Sequence, residues 1–463
     1  MARKLEALNG VDAAWLRMES PTNLMVVNAL LRFDAPLSYD ELVELVEERL
    51  MRFKRFRQRV VYPKRKMGRP HWEEDPTFDV GAHVQRVALP EGGTPALKRW
   101  ISDRSSQPLD ASKPLWRFYL LEGVGESNAL FARVHHSLAD GFSLLYIMSA
   151  MVDPDCPITF PAGITAPELG VAEHDEVQGI VEPLRRSMLP RLPDLERMVA
   201  QVGELTDPAK LSRGARDAGG AAVNAAQLLT LPSEADTPLR GELGTRKLVS
   251  WTEPVPIGDV KRIGAGFGGT INDVLLLTLT DAVRRFLDAN GQAVTAPDIR
   301  VVMPVNIRPM ERRTEDLGNG FGLVFIELPI GEDDPAERLA ILQRRIEVLK
   351  KSPEAYVTFG VLTAMGASPA AAQTQLMRLF YNKATAITTN VPGPVEPVRI
   401  GGRSITRITF WVPQSADLGL GFSIFSYRGE VQVGITGDAN LLPDPDLFAS
   451  CFQDAFAQLL SNS

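Results

Sequence analysis

The sequence predicts an α+β fold with two lobes, and three observations lead to this prediction. Apolar runs suited to strands alternate along the chain with segments whose apolar residues recur at helical spacing. The C-terminal stretch "GLGFSIFSYRGEVQVGITGD" places two apolar runs around the turn "YRGE", which is typical of an antiparallel hairpin. A segment rich in Pro, Gly and Ala divides the chain near its middle. Strands and helices mixed in this way favour α+β lobes.

The length of the chain fits this arrangement, since 463 residues suit two domains of about 200 residues each. We expect an N-terminal lobe at residues 1–152, a partly helical crossover linker at 153–244 and a C-terminal lobe at 245–463. Hydrophobic residues make up 44% of the chain and charged residues 23%, a balance that allows large buried cores.

Charge, cysteine content and hydropathy exclude several classes of protein. The net charge of −7 argues against nucleic acid as a partner, because such binders usually carry a basic surface. Cys156 and Cys451 are the only cysteines, so the chain has no disulfide framework and we expect a reducing, cytosolic setting. The longest apolar runs, 143–152 and 274–283, are about half of a bilayer span, and the N-terminus lacks a signal-peptide core. We therefore expect a soluble or peripheral protein.

The N-terminal half begins with a predicted strand at 26–33 and a helix over 39–50, followed by a helix around 94–106. Two strands, "PLWRFYLLEG" and "NALFARVHH", then flank the turn "VGESN". The stretch "DGFSLLYIMSAMV" predicts a helix that is entered through Asp140, a residue type favoured at helix N-caps.

The C-terminal half predicts the helix "INDVLLLTLTDAVRRFL" with Thr270 as its N-cap, the strand "IRVVMPVNI", a helix near 335–351 and the strand "AITTNVPG". The stretch "GAGFGG" (264–269) has the G-x-G-x-x-G spacing of a dinucleotide-binding loop. It follows "PIGDVKRI", however, which predicts a short helix and not the strand that such a loop requires. We therefore reject it as a cofactor loop.

The stretch "RVHHSLADG" (133–141) is the leading candidate for a functional site. His135 and His136 stand together at the end of a predicted strand, where successive side chains point to opposite faces, and Asp140 and Gly141 follow. A histidine titrates near pH ~6.5 and can act as a general base, but two partly buried structural histidines would fit equally well. Adjacent histidines rarely chelate one ion and no further ligand pattern lies nearby, so we expect no metal.

The same stretch matches the H-H-x-x-x-D-G signature of the CoA-dependent acyltransferase superfamily, which includes chloramphenicol acetyltransferase and peptide-synthetase condensation domains. More narrowly, the chain resembles the bacterial wax ester synthase/diacylglycerol acyltransferase family. The resemblance covers both lobes, from near residue 8 to about 445, and the linker is its weakest part. It is carried in family order by "LNGVDAAWLRMESPTNLMVV" (8–27), "KPLWRFYLLEG" (113–123), "TINDVLLLTLTDAV" (270–283), "VVMPVNIRP" (301–309), "GNGFG" (318–322) and "TTNVPGP" (388–394).

This resemblance implies two lobes similar to chloramphenicol acetyltransferase subunits, with mixed, largely antiparallel sheets and the active site at their interface. It implies transfer of a fatty acyl group from acyl-CoA, as a substrate and without any cofactor, to a long-chain alcohol or to diacylglycerol. His136 would be the general base in a direct transfer that forms no acyl-enzyme. His135 and Asp140 would support the loop, and Gly141 relieves crowding where the helix begins.

Four further residues are candidates for substrate binding or structural support. Asn272 and Asp273 lie in the first turn of a predicted helix, where capping alone would account for them. The family carries an Asn-Asp pair there that faces the active-site region, which makes Asn272 a candidate for positioning substrate. Asn390 is a candidate cleft residue, although the turn after it would also explain it. Arg308 is a candidate partner for Asp140.

A basic block at 52–69, interleaved with Phe53, Phe56 and Tyr62, departs from the acidic character of the chain. Such a run is usually a solvated face, but it also suits docking on a peripheral membrane or lipid-droplet surface that is anionic, or binding of CoA phosphates. We expect a cytoplasmic protein, with peripheral attachment to the inner face of the membrane or to lipid inclusions as a further expectation.

Two alternatives to this function stay open. One is a member of the same superfamily that acylates a polyketide-type or glycolipid alcohol, or that takes its acyl group from a carrier protein. The other, of a different class, is a non-catalytic lipid-binding protein that keeps the fold. The intact "HHSLADG" argues against the second alternative, because a protein without catalysis would be free to lose His136.

Overall fold

The computed structural model describes residues 5–63, 69–125, 127–156, 158–161, 232–234, 237–292, 298–307, 319–352, 354–367 and 382–463, with the side chains of residues 142, 364, 366 and 367 excepted. Most of the predicted linker lies outside these ranges, and so do Arg308, Lys64, Arg65 and Lys66. Within the ranges, the helices and strands closely follow the segments for which the sequence predicted them.

The helices confirm the predicted ones to within a few residues. The predicted helix over 39–50 is confirmed, although its second half is a π-helical turn (Val46–Leu50). A short 3₁₀ helix covers Lys54–Arg57. The α-helices are α1 (Gly10–Met18), α2 (Tyr39–Leu45), α3 (Val80–His83), α4 (Gly93–Ser105), α5 (Gly141–Met151), α6 (Ile257–Phe267), α7 (Ile271–Ala289), α8 (Pro335–Lys350), α9 (Glu354–Ala367) and α10 (Pro445–Ser461).

The strands form three sheets. They are β1 (Glu6–Ala7), β2 (Val26–Phe33), β3 (Gln58–Val61), β4 (His71–Glu74), β5 (Val84–Ala88), β6 (Trp116–Val124), β7 (Ser127–His135), β8 (Lys247–Trp251), β9 (Val255–Pro256), β10 (Ile299–Asn306), β11 (Phe321–Leu328), β12 (Ala386–Pro392), β13 (Arg399–Ile400), β14 (Arg403–Trp411), β15 (Leu420–Tyr427) and β16 (Glu430–Asp438). The predicted hairpin at "YRGE" is confirmed by the antiparallel pairing of β15 with β16.

The two large sheets confirm the expected α+β class with mixed, largely antiparallel sheets. The first sheet has the order β13-β14-β2-β7-β6-β5, and of its neighbouring pairs in the described ranges β5–β6 is parallel and the rest are antiparallel. The second sheet has the order β11-β10-β12-β15-β16-β8, in which β10–β12 and β12–β15 are parallel. The small third sheet has the order β1-β4-β3.

The two halves of the chain share the first sheet. β14 comes from the C-terminal half, yet it pairs antiparallel with β2, so that Phe410 lies opposite Ala29 and Ile408 opposite Leu31. A strand of the predicted C-terminal lobe therefore completes the sheet of the N-terminal lobe. This exchange ties the two halves together beside the site described below.

α1 crosses in the opposite direction, from the N-terminal segment into the C-terminal half. It packs Trp15 and Met18 into an apolar cluster with residues of β10, β11 and α9. Gly10 allows the close approach, because a Cβ there would lie 2.5 Å from the carbonyl oxygen of Thr363. α1 consequently brings its polar residues, Asp12 among them, to the junction of the two halves.

The short helix predicted for "PIGDVKRI" is confirmed as α6, which extends to Phe267 and so includes the first part of the glycine-rich stretch at 264–269. Gly264 and Gly266 lie inside α6, and Gly268 ends that helix with a positive φ of 77°. α7 then begins at Thr270, whose side chain forms a reciprocal capping box with Asp273. Among the helices described, none by itself has the length and apolar character to cross a membrane; α6 and α7 meet these criteria only as a pair bent by 90°.

Two aromatic residues of the basic block are buried. Phe53 and Phe56 are 7% and 0% exposed and pack into the core of the first half, so neither ring is available to a docking surface. Of the aromatic residues in the block, Tyr62 is exposed. Three arginines of this segment pair with acids of the small sheet: Arg55 with Glu6 at 2.5 Å, Arg57 with Glu74 at 3.8 Å and Arg59 with Glu73 at 3.0 Å.

Candidate active site

The histidine pair stands where β7 ends and the chain turns into α5. His135 is the last residue of β7, and the backbone N–H of His136 donates to the carbonyl oxygen of Met25 at 2.7 Å. Asp140 caps α5, as predicted, because its Oδ1 accepts from the backbone N–H of Ser143 at 2.8 Å. The loop is therefore fixed at both ends, by the neighbouring strand and by the helix cap.

His135 faces the protein interior and is held in one tautomer. Its Nδ1 accepts from the backbone N–H of Ser137 at 3.0 Å, so the proton of the neutral ring lies on Nε2. That nitrogen is 3.1 Å from Oε2 of Glu19. Burial by itself would raise the pKa of Glu19, but hydrogen bonds from His135 and from the backbone N–H of Met25 outweigh it and lower that pKa. His135 thus serves the loop and is not available to a substrate.

His136 is held in the opposite tautomer. Its Nδ1 lies 2.9 Å from Oδ1 of Asn319, whose Nδ2 donates to Oδ1 of Asp12 at 2.8 Å and to the carbonyl oxygen of His136 at 2.9 Å. Both partners of Nδ2 are acceptors, so the other amide atom is the oxygen and His136 Nδ1 must be the donor. The lone pair on Nε2 is therefore the one that can accept a proton.

The third member of this chain, Asp12, is buried in α1. Its carboxylate accepts from the backbone N–H of Asn319 at 3.1 Å and from Nδ2 of Asn9 at 2.7 Å, besides the side chain of Asn319. Burial raises the pKa of Asp12 to about 6, although the hydrogen bonds from Asn319 favour the charged form. The group is consequently ionised at neutral pH and points its charge toward His136 through Asn319.

The ring of His136 is almost completely buried among aromatic side chains. It stacks on Trp15 with centroids 4.4 Å apart and lies 5.6 Å from the ring of Phe321. Burial lowers the pKa of His136 to about 4, against the opposing influence of the Asp140 charge. The imidazole is therefore neutral near pH 7, which is the form a general base requires.

Asp140 has a second role besides capping α5. Its Oδ2 accepts from the backbone N–H of Gly320 at 2.9 Å. Asp12 and Asp140 therefore hold two consecutive residues, Asn319 and Gly320, from opposite sides. These hydrogen bonds hold the side-chain amide of Asn319 in contact with His136. Whether Arg308 also contacts Asp140 lies outside the described residues.

The structure separates the remaining candidates into those that reach the site and those that do not. Gly141 and Asn390 line the cavity beside His136. Asn390 Nδ2 donates to Oδ1 of Asn272 at 2.6 Å, so Asn272, which is exposed, reaches the site through Asn390. Asp273 is a capping residue: its carboxylate accepts from the backbone N–H of Thr270 at 2.8 Å.

Sequence reasoning missed the side chains that hold and surround the base. Asp12, Trp15 and Glu19 lie in the segment "LNGVDAAWLRMES", and Asn319 lies in "GNGFG", both of which were noted only as carriers of the resemblance. One signal was available, because Asp12 stands among the apolar residues of "GVDAAWL" and an acid that is buried with them needs a partner. The identity of that partner depends on tertiary structure.

A cavity of about 200 Å³ opens at His136 and extends into the first half of the protein. Its wall is almost entirely apolar, and its polar lining residues are His136, Asp140, Asn306, Thr389 and Asn390. The cavity is lined by α5, by one face of the first sheet and by residues of β10, β11, β12 and β15 of the second sheet. An apolar cavity that ends at a neutral imidazole suits an uncharged substrate with a long hydrocarbon part.

Solved structures share this fold. A wax ester synthase/diacylglycerol acyltransferase from Marinobacter aquaeolei VT8 aligns with a TM-score of 0.67 at 21% identity, over 98% of this chain and 99% of that chain. The first condensation domain of the calcium-dependent antibiotic synthetase, in complex with a substrate analogue, aligns with a TM-score of 0.58 at 16% identity, over 98% and 97% of the two chains. These similarities concern the fold, and they confirm the two-lobed architecture expected from the sequence.

Sequence comparisons identify the family. A relative from Mycobacterium tuberculosis strain H37Rv, named probable diacylglycerol O-acyltransferase tgs1, is 27% identical over 465 residues, which cover 98% of this chain and 96% of the relative. The family model described as the wax ester synthase/diacylglycerol acyltransferase catalytic domain matches residues 8–275, and the model of the C-terminal domain of that family matches residues 317–460. The chain therefore belongs to the wax ester synthase/diacylglycerol acyltransferase family, and it is an acyltransferase.

Proposed function

We propose that this acyltransferase moves a fatty acyl group from acyl-CoA to the hydroxyl of a long-chain alcohol, of diacylglycerol, or of both. The products are a wax ester and a triacylglycerol. One observation carries the proposal: a neutral imidazole, with its free lone pair on Nε2, stands at the end of a deep apolar cavity. The names of the similar proteins support the same substrates.

In the proposed mechanism, His136 Nε2 takes the proton of the alcohol hydroxyl as the oxygen attacks the thioester carbonyl. The C–O bond forms, the carbonyl oxygen becomes negatively charged, and the imidazole becomes a cation. Asn319 and the carboxylates of Asp12 and Asp140 favour that cation. The C–S bond then breaks, and the thiolate of coenzyme A takes the proton from Nε2, so the base is regenerated.

We propose that the transfer is direct, because Ser137, which follows the histidine pair, and the two cysteines are unsuited to carry an acyl group. Ser137 is fully buried and its hydroxyl contacts Nδ1 of His135 at 2.8 Å. Burial raises the pKa of the Cys451 thiol, which disfavours the thiolate. Cys156 contacts the carbonyl oxygen of Pro397. Trapping of labelled acyl groups on any of these residues would contradict direct transfer.

We further propose that the reaction uses no metal or other cofactor, since base, positioning group and apolar site all come from the chain itself. The decisive experiment measures ester formation from hexadecanoyl-CoA with hexadecanol and with diacylglycerol. His136→Ala should lower turnover by about 10²-fold to 10⁴-fold, the usual contribution of a general base. His71→Ala, at a partly exposed histidine of β4, is the matched control and should leave turnover unchanged.

The same assay separates the remaining alternatives. Near-wild-type turnover in the His136→Ala variant would contradict the mechanism. Release of free CoA only with short branched or glycosylated alcohols would favour a different acceptor, and activity restricted to acyl-carrier-protein thioesters would favour a different donor. Binding of acyl-CoA without transfer to any alcohol would identify a lipid-binding protein.

We propose a cytoplasmic location with peripheral attachment to membranes or lipid inclusions, because the substrates are lipids. Since Arg55, Arg57 and Arg59 of the basic block pair with acids, the candidates for this attachment are Lys64, Arg65 and Lys66. Their replacement by glutamine should weaken sedimentation with anionic vesicles at low salt. An equal loss of charge at Arg344 and Lys350 of α8 and at Lys351, which follows it, is the control. Equal binding by the two variants would contradict a role for 64–66.

A further inference from the structure

The indole of Trp15 carries a buried N–H group that has no acceptor among the described residues. Trp15 is 2% exposed, and its Nε1 is shielded from solvent without a hydrogen bond to another described group. Buried indole N–H groups usually find a partner, because an unsatisfied donor in an apolar interior is destabilising. An N–H that stays unsatisfied at a catalytic site therefore points to a ligand that supplies the acceptor.

The aromatic rings that touch Trp15 do not accept this N–H. The planes of Trp15 and His136 are 18° apart and their centroids are 4.4 Å apart. The N–H lies in the indole plane, so it runs alongside the imidazole and does not meet its face. The ring of Phe321 is 5.6 Å away and tilted by 38°, which falls short of the edge-on arrangement of an N–H bond to a ring. The donor is therefore not used by these two neighbours.

Trp15 lies at the reacting centre. It lines the cavity together with His136, and the stacking brings the two rings into contact. The oxygen of an attacking alcohol must lie about 2.6–3.2 Å from His136 Nε2, and the thioester carbonyl that it attacks is adjacent to that oxygen. Because the indole is the ring next to the imidazole, its N–H is within reach of that carbonyl, and such bonds tighten once substrate is bound.

The packing around Trp15 fixes the indole before any substrate binds. Its ring belongs to an apolar cluster that includes Val302 of β10 and Ile387 of β12. α1 also carries Asp12, whose carboxylate is bonded to Asn319, so the indole and the group that orients the imidazole lie on one helix. A donor that is held in place in advance stabilises developing charge without the cost of reorganisation.

The hydroxyl of Thr389 is a second unpartnered group in the cavity lining. Thr389 lies on β12 and is 6% exposed. It differs from Trp15 in two respects. Trp15 has a measured ring contact with His136, whereas the contacts of the described residues include none between Thr389 and His136. A hydroxyl also rotates and either donates or accepts, whereas the indole N–H only donates. The indole is accordingly the better defined of the two donors.

We propose that the indole N–H of Trp15 donates a hydrogen bond to the carbonyl oxygen of the acyl-CoA thioester, and that this bond strengthens as the oxygen becomes negatively charged. This inference rests on the proposed function, in which His136 Nε2 takes the alcohol proton while the C–O bond forms. The negative charge faces the N–H until the C–S bond breaks and the charge passes to the thiolate of coenzyme A. Trp15 keeps its proton throughout, so it is a catalytic residue that stabilises charge and transfers nothing.

The test removes the N–H and keeps an aromatic ring beside His136. In Trp15→Phe, kcat for ester formation from hexadecanoyl-CoA should fall about 10²-fold to 10³-fold, the usual loss when one donor to an oxyanion is removed. KM for hexadecanoyl-CoA should change little, because the bond becomes strong only in the transition state. Urea denaturation checks that the variant is folded under the assay conditions. A wild-type kcat in Trp15→Phe would overturn the inference.

Trp72→Phe is the matched control. Trp72 of β4 is fully buried, its Nε1 likewise has no acceptor among the described residues, and it does not line the cavity. The same chemical change should therefore leave kcat at the wild-type value. A loss of kcat in Trp72→Phe equal to that in Trp15→Phe would show that the loss of an indole acts through packing, and it would also overturn the inference.

The alternative donor has its own pair of variants. Thr389→Val removes the hydroxyl in the cavity lining. Thr388→Val removes the hydroxyl of the neighbouring buried threonine, which is also unpartnered but lies outside the lining, and should leave kcat unchanged. A loss of about 10²-fold in Thr389→Val together with a wild-type kcat in Trp15→Phe would assign the carbonyl to the hydroxyl in place of the indole.

An infrared measurement keeps the test independent of turnover. A hydrogen bond to a carbonyl lowers its stretching frequency. With hexadecanoyl-CoA labelled with ¹³C at the carbonyl and bound without alcohol, the band should lie lower in the wild type and in Trp72→Phe than in Trp15→Phe. If this difference is seen but no ester forms from hexadecanol or diacylglycerol, the proposed function fails and the assignment of Trp15 stands. If ester forms at the wild-type rate in Trp15→Phe and the band does not move, the assignment of Trp15 alone fails.

Discussion

Asn319 Oδ1 accepts a hydrogen bond from His136 Nδ1 at 2.9 Å, although 183 positions separate the two residues in the chain. Asp12 stands behind Asn319, and its carboxylate orients the amide that receives this bond. The general base is therefore built from three distant segments: the loop after β7, the residues before β11, and α1. Each of these contacts predicts a measurable effect.

Removal of the amide should reduce the rate without preventing folding. In Asn319→Ala, His136 Nδ1 loses its acceptor and the tautomer is no longer fixed. A buried unsatisfied donor costs about 1–3 kcal/mol, which corresponds to a loss of about fivefold to 150-fold in kcat. Steady-state kinetics should show this loss in kcat with little change in KM for acyl-CoA. Asn290→Ala, at the end of α7, is the control, and a kcat equal to the wild type in Asn319→Ala would contradict the role.

The charge of Asp12 should control the acidic side of the pH–rate profile. Its pKa is about 6, so the wild-type kcat should decline as the pH falls through about 6 and Asp12 becomes neutral. Asp12→Asn has no charge at any pH and should be about tenfold slower at pH 8, because a hydrogen bond to a charged group is about 1–2 kcal/mol stronger than a neutral one. It should also lack the decline near pH 6. The same decline in Asp12→Asn would show that another group titrates.

The buried imidazole should make the protein less stable in acid. The pKa of His136 is about 4 in the folded state, against 6.5 for an exposed histidine, so the unfolded state binds more protons between pH 6.5 and pH 4. The free energy of unfolding should fall by about 3 kcal/mol across this window on account of His136. Asp12 acts in the opposite direction between about pH 6 and pH 4, because its pKa is raised on folding.

A comparison of variants separates the contribution of His136 to the pH dependence of stability from that of Asp12. Relative to the wild type, His136→Phe should gain about 3 kcal/mol in free energy of unfolding between pH 7 and pH 4, measured by urea denaturation. Phe321→Leu changes the packing beside the same ring without removing a titrating group, so its difference from the wild type should not depend on pH. A pH-independent difference for His136→Phe as well would contradict the low pKa.

Asp140 should show separable effects on stability and rate. Asp140→Ala removes both the cap on Ser143 and the acceptor for Gly320, so we expect a loss of about 2–4 kcal/mol in the free energy of unfolding. Asp140→Asn keeps a cap and should lose less stability, yet its kcat should still fall because the charge beside His136 is gone. Urea denaturation and kinetics of the two variants together check this, and a fully active Asp140→Asn would contradict it.

The sequence by itself determined those features that depend on local physics. The strand at 26–33, the helix caps at Asp140 and Thr270 and the hairpin at "YRGE" follow from periodicity and from hydrogen bonds between near neighbours. Strand alternation also predicted that His135 and His136 face different ways, and the structure confirms it. The family resemblance, carried by motifs along both halves, predicted the fold class and the family correctly.

Tertiary structure alone decided which distant residues meet. Asn319 and Asp12, which hold the ring of His136, lie more than 120 positions away from it in opposite directions along the chain, and no local pattern specifies that α1 and the segment before β11 converge on it. The same holds for β14, which crosses into the first sheet and supplies Phe410 to the lining of the cavity at His136, and for Phe53 and Phe56, whose burial a count of basic neighbours did not predict. Periodicity fixes which face of a helix or strand is apolar. The packing of these elements is driven by burial of their apolar faces, and it fixes which polar groups are buried together. It thereby also fixes the tautomer of the buried His136.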